Sequence, residues 1–377
     1  MISNLRRTLA RHATNYWGWR SDRKIVVIES DDWGSSCMPS AEIYNKLVDS
    51  GVRVDWCPYT RYDALASEHD LQDLFSVLTE FRDKNGDHPV ITANAVMMNP
   101  DYEKIRDAGF RAYYGKPFTE TLKEYPAHGR SFSLWKQGMA DNLFYPQFHG
   151  REHLNLSKWI ASLQKSDSVN RTVFEEGMFW PGSAEEEKGS VSIRAAFDTD
   201  DVADLDAHRH IIREGLNQFE DLFGYRSKSF IAPNFVYHPN LNRTLAEMGV
   251  EILQGMKYQK LPLAGGEKRE MRRRHHGQTN ELGQINLVRN CTFEHSQQPA
   301  TFDSVDDCLK SIQNAFFWKK PAVITAHRLN FIGFIDPGNR ERNLKMFRKL
   351  LSTMLKRWPD IEFMTSPKLG GLMAESQ

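Results

Sequence analysis

The feature that most restricts the fold is a repeating unit, a short apolar and β-branched run followed by a segment of helical periodicity. Residues 24–30 (KIVVIES) are apolar on both faces, as a strand buried in a parallel sheet must be. Residues 88–96, 228–232, 285–289, 321–326 and 361–365 read the same way, with helical patterns at 41–50, 68–84, 154–164, 203–223, 241–248, 305–317 and 340–357 between them. This alternation predicts an α/β fold on a parallel sheet. The number of strands allows either an open sheet or a closed barrel. In both cases ligands bind at the carboxyl ends of the strands. Segments 51–67, 111–138 and 170–201 are expected to be long insertions, and 257–283 a Gly-rich basic loop. Residues 1–23 are read as an N-terminal extension able to form a short amphipathic helix. No linker divides the remainder, so 24–377 is read as a single domain.

Hydrophobic residues make up 40% of the chain, enough for a large core. The 49 basic residues balance 49 acidic ones, which argues against nucleic acid as a partner. The basic run at 268–276 (KREMRRRHH) is the one local exception, and it is read as a solvated loop. Cys37, Cys57, Cys291 and Cys308 form no CxxC pair and are expected to be reduced thiols. No membrane-spanning run of about 18 apolar residues occurs. With no apolar leader either, the expected location is the cytoplasm. Nothing in the sequence speaks to oligomeric state.

The chemistry sits where strands end. The first strand runs into Ser30-Asp31-Asp32-Trp33, and two adjacent carboxylates beside a buried strand are costly unless a cation joins them. A solvated, capping turn is the bland alternative. His149 and His153 are spaced i, i+4, which places both on one face if the segment is helical. Gly150 after the first histidine excludes the HExxH pattern of zinc metalloproteases. His327 closes the apolar run 322–326, where it can serve as a general acid or be a plain loop histidine. Ile231-Ala232-Pro233-Asn234 ends a further strand.

Taken in order, these motifs resemble those of the polysaccharide deacetylases of NodB-homology type, over residues 24 to 370. The resemblance implies a distorted (β/α) barrel with long loop insertions, and one divalent metal ion held by Asp32, His149 and His153. Zinc is the default for such a donor set, without excluding cobalt, nickel, manganese or iron. It further implies Asp31 as catalytic base, His327 as general acid, and an N-acylated amino sugar or related carbohydrate as substrate. The sequence departs from the pattern in several places. The arginine of the family's proline motif is replaced by Ile231, the family's fourth-motif aspartate is not evident, and the interval between the Asp pair and the HxxxH is long. Arg289 is the candidate to steady Asp31 instead, with Glu294 or Asp198 as partners for His327. The competing reading makes Arg289 and Glu294 a structural ion pair. Trp33, Asn94, Pro233 and Asn234 are candidate substrate contacts, with Tyr237 and His238 on the same rim. Trp33 reads equally as a core residue. Two other functions stay open: a glycoside hydrolase or other C–N hydrolase on the same barrel, and a non-catalytic carbohydrate-binding protein.

Overall fold

In the computed structural model, residues 2–182, 192–262 and 269–376 are described. Positions 183–191 of the third expected insertion, and 263–268 of the Gly-rich basic loop with Lys268 among them, lie outside these residues. The first strand, β1 (Lys24–Trp33), is buried at every residue after Lys24. It takes in the whole Asp31-Asp32-Trp33 motif rather than ending before it. Its parallel partners are β2 (Ile91–Ala95) and β12 (Ala322–Thr325), together with β13 (Ile361–Met364). One edge of β1 meets β12. The other is shared, with β13 pairing residues 24–27 and β2 taking over from Ile28.

From β2 the sheet continues through β5 (Phe144–Phe148), β6 (Ser229–Phe230) and β7 (Ile252–Met256) to β10 (Ile285–Arg289). The ring closes within one stretch of chain. β10 pairs with β7, while β11 (Cys291–Thr292), one residue further on, pairs with β12. Asn290 makes the join, its N–H donating to Val323 O at 3.2 Å and its Oδ1 accepting from Val323 N at 2.8 Å. The architecture is a distorted (β/α) barrel. Two small hairpins stand outside it, β3 (Met98–Pro100) with β4 (Gly115–Pro117), and β8 (Tyr258–Lys260) with β9 (Met271–Arg273).

The expected helices form with ends moved by a few residues, for example Asp204–Phe223, Ser304–Phe317 and Pro337–Arg357. Segment 111–138 is not a bare loop, since it holds the helices Phe118–Glu124 and Ser131–Ala140. Phe118 and Trp135 from these helices pack into the main core, which explains why the segment folds. Residues Ile2–Asn15 form a helix lying along Ser304–Phe317, tied by Arg11 to Asp307 at 2.6 Å and by Asn15 to Asn314 at 2.9 Å. All four cysteines are buried and unpaired. Among the described residues no helix is long and apolar enough to cross a membrane.

The barrel axis is polar. Gln254 of β7 donates to Asn94 of β2 at 3.1 Å and to Ser229 of β6 at 2.7 Å, and Ser229 Oγ donates to Gln147 of β5 at 2.8 Å. All four side chains are buried. Buried amides need partners, and this set supplies them to one another. The network ends at Asp31, so the barrel interior leads directly into the site.

Candidate active site

Asp32 adopts φ 72°, a left-handed conformation that a short polar side chain tolerates better than most. The pairing of β1 with β2 shifts register between Ser30 and Trp33 around it. This kink separates the two carboxylates. Asp31 points at the barrel network and Asp32 at the histidines.

His149 and His153 do not lie on a helix. They follow β5 on an irregular loop, where Gly150 at φ 120° turns the chain. His149 Nδ1 donates to Ile231 O at 2.9 Å, which leaves Nε2 facing inward. That atom lies 3.4 Å from Asp32 Oδ1, and His153 Nε2 lies 3.1 Å from the same oxygen. The three donor groups fall within 4.8 Å of one another, all buried. Asp32 Oδ1 and His149 Nε2 have no hydrogen-bond partner. Buried orphan atoms of this kind are expensive unless something binds them. Burial and the nearby Arg194 cation, opposed by Asp32, push His153 down to about 4. Its imidazole is therefore neutral at pH 7, the form that ligates a metal. Burial opposes ionisation of Asp32, yet His153 and Arg194 hold it well below the usual carboxylate range. The residues fit a divalent metal in number, geometry and protonation.

The Arg289 guanidinium, on the last residue of β10, donates to both Asp31 oxygens at 2.6 Å and from Nε to Glu29 at 2.6 Å. Asn94 adds a bond of 2.7 Å to Asp31 Oδ1. Burial would raise both acids. For Asp31 the bidentate arginine wins and holds it well below the usual range, while for Glu29, gripped by one nitrogen, burial wins and its pKa is raised. His327 Nδ1 donates to Glu294 Oε1 at 2.5 Å, and its Nε2 stands 3.6 Å from Asp31 Oδ2. Burial alone would lower His327, but Glu294 and Asp31 raise it to about 9. The loop is pinned next door, because buried Arg328 pairs with Asp63 at 2.9 Å and donates to Ser35 O at 2.7 Å.

Arg289 and Glu294 thus do not pair with each other. Asp198 is not near His327 either, being engaged by Arg269 at 2.8 Å. Trp33 does not face a ligand; its ring packs edge-on against Phe144 and Trp135 in the core, with its N–H on Ser30. A strand residue after the kink turns inward there. Asn94 is likewise no substrate wall, since its amide is used up behind Asp31 and on Gln254. Pro233 is buried behind Gly150, and Tyr237 lies in the core. Of the residues just after β6, Asn234 and Phe235 reach the cavity wall.

That cavity, about 450 Å³, opens onto Asp31, Asp32, His149, His153 and His327. Among the wall residues that sequence reasoning missed are Tyr59, Trp180, Arg194 and Lys260. They come from insertions, where no periodicity marks a residue as facing a site.

No family model matches the chain, and no curated protein matches it either. Solved structures do. A putative polysaccharide deacetylase from Mycobacterium smegmatis aligns with TM-score 0.48 and 12% identity, over 96% of this chain and 93% of the other. A 4-alpha-glucanotransferase from Thermococcus litoralis gives 0.46 and 11%, over 93% and 40%. Puue allantoinase gives 0.43 and 10%, over 94% and 91%.

Proposed function

We propose that the chain is a metal-dependent hydrolase that removes an N-acyl group, in the first instance acetyl, from an amino sugar or related glycan. The observation that carries this reading is the buried Asp32–His149–His153 triad with an ionised Asp31 on one side and a protonated His327 on the other. Asp32, His149 and His153 would hold the metal, zinc by default. When bound, it polarises an acyl carbonyl and acidifies water. Asp31, kept ionised by Arg289, takes the proton of the attacking water. His327 carries a proton to the leaving amine nitrogen. With Nε2 3.6 Å from Asp31 Oδ2, the imidazole is also placed to receive Asp31's proton and restore the starting state. Glu294 accepts from His327 Nδ1 and so keeps Nε2 aimed at this point.

A glycosidase needs two carboxyl groups about 5 to 9.5 Å apart flanking the bond to be cut. Among the described residues of the cavity wall the carboxylates are Asp31 and Asp32, one locked by Arg289 and the other facing the histidines. This favours amide over glycoside hydrolysis.

The test combines metal content with release of free amine from N-acetylated amino sugars. Wild type should carry about one divalent metal per chain. Asp32→Ala with His149→Ala should carry none, and Asp31→Asn should keep the metal but release no amine. A metal-free wild-type protein, or a fully active Asp31→Asn variant, would overturn the reading.

A further inference from the structure

Among the described residues, Arg194 is a buried cation of the site that the proposed chemistry leaves unused. Its guanidinium is nearly buried, with 9% of the side chain exposed, and lies between the rings of Tyr59 and Trp180 at 4.5 and 4.9 Å from their centroids. A guanidinium offers five N–H donors in a rigid fork. Here one nitrogen reaches Asp32 Oδ2 at a long 3.3 Å, and the buried Nε has no hydrogen-bond partner. A charge taken out of water with donor capacity left over is costly, and an oxyanion in the cavity would reduce that cost.

The charges around it point the same way. Of the two carboxylates on the cavity wall, Asp31 has both oxygens bound by Arg289, and Asp32 directs Oδ1 to the histidines. Asp31 is thereby fully engaged, and Asp32 meets Arg194 through Oδ2 alone, at 3.3 Å. A divalent metal at Asp32 would draw on that charge and weaken its hold on Arg194. Lys260, exposed on the hairpin β8–β9, adds another positive group to the same wall. A neutral sugar offers Arg194 and Lys260 no negative partner beyond Asp32.

We infer that the substrate is anionic, and that Arg194, clamped between Tyr59 and Trp180, binds a carboxylate or phosphate oxyanion carried by the N-acylated sugar. This rests on the hydrolase reading for the word substrate, but its evidence is a binding site. Arg194 thereby selects among acylated sugars by charge, with the planar fork facing the oxyanion and the aromatic rings preventing the guanidinium from swinging away. Lys260 on the rim attracts the same charge from solution.

The test is calorimetric binding to the full, zinc-loaded chain with three probes: N-acetylglucosamine, its 6-phosphate, and the corresponding uronic acid. One anionic probe should bind about tenfold or more tighter than the neutral sugar, as a charge-assisted bond allows, and which of the two does so separates phosphate from carboxylate. Arg194→Met should erase that preference while keeping the zinc content and the affinity for the neutral sugar, which together report an intact fold. Arg194→Lys should restore part of it. Equal binding of all three probes by wild type overturns the inference, and so does a preference that survives Arg194→Met. Loss of zinc in Arg194→Met and Arg194→Lys with the preference unchanged would make Arg194 a support for Asp32 alone, which also overturns it. Failure of the hydrolase reading looks different, as anion-selective binding without amine release from any probe.

Discussion

Arg289 holds Asp31 with two hydrogen bonds of 2.6 Å while its remaining nitrogen reaches Glu29 at the same distance. One buried cation thus serves two buried carboxylates on the same strand, two residues apart. Removing it takes the shared positive charge from two buried carboxylates, and deleting one member of a buried charge cluster costs about 3–5 kcal/mol. Arg289→Met should therefore lower stability by that order in urea denaturation, and turnover should fall about a hundredfold or more, as when an orienting electrostatic partner is lost. Adding Glu29→Gln should recover part of the stability and none of the turnover. Recovery of both would mean that Arg289 acts only on the fold.

His327 gives the pH prediction. In the metal-free protein, an NMR titration of its imidazole should show a midpoint near 9. The shift is upward, so its stabilising effect is complete below the ordinary histidine value of 6.5 and disappears as pH rises through about 9. Glu294→Gln should move the midpoint down, since burial then meets less opposition. The alkaline limb of activity should move with it. A midpoint untouched by Glu294→Gln would show that the bond to Glu294 does not set the proton's affinity.

Gly150 sets the path of the histidine loop. Its φ is 120°, and an added Cβ would stand 3.1 Å from Glu152 O. Gly150→Ala should strain the loop and weaken metal binding about 10–100-fold, the range seen when the support of a ligand is disturbed. Competition with a chromophoric chelator measures this. Undiminished affinity would mean that His149 and His153 keep their places without the glycine.

Trp33 separates packing from recognition. Trp33→Ala should destabilise the chain by about 3–5 kcal/mol through the cavity it leaves among Trp135 and Phe144. KM of the folded fraction should not change. A raised KM with stability intact would restore the tryptophan as a sugar platform.

The reach of the sequence is clearest at β1. Ile25 to Ile28 are apolar on both faces, so a buried parallel strand follows from the residues themselves, and the acids at its end follow as the place for chemistry. Asp31, Asp32, His149, His153 and His327 were legible because each stands at a strand end or in a spaced pair. Three barrel strands were not, the two-residue β11 among them. Phe144–Phe148 contains Pro146, and Ile252–Met256 contains Gln254 and Gly255, which weaken any strand reading. The barrel accepts the proline because β6 pairs with β5 only at Phe148, and it accepts the glutamine because the axis is polar.

Local sequence determines periodicity, strand ends and residue chemistry, since these depend on neighbours along the chain. Which charges meet across the barrel depends on closure, and closure is decided by the pairing of residues hundreds of positions apart. Arg289 against Asp31 and Glu294 against His327 stood in the sequence as one reading among alternatives, and Arg194 against Asp32 was not legible there at all. A lone buried arginine carries no periodic signature, so the tertiary structure decides which acid it neutralises.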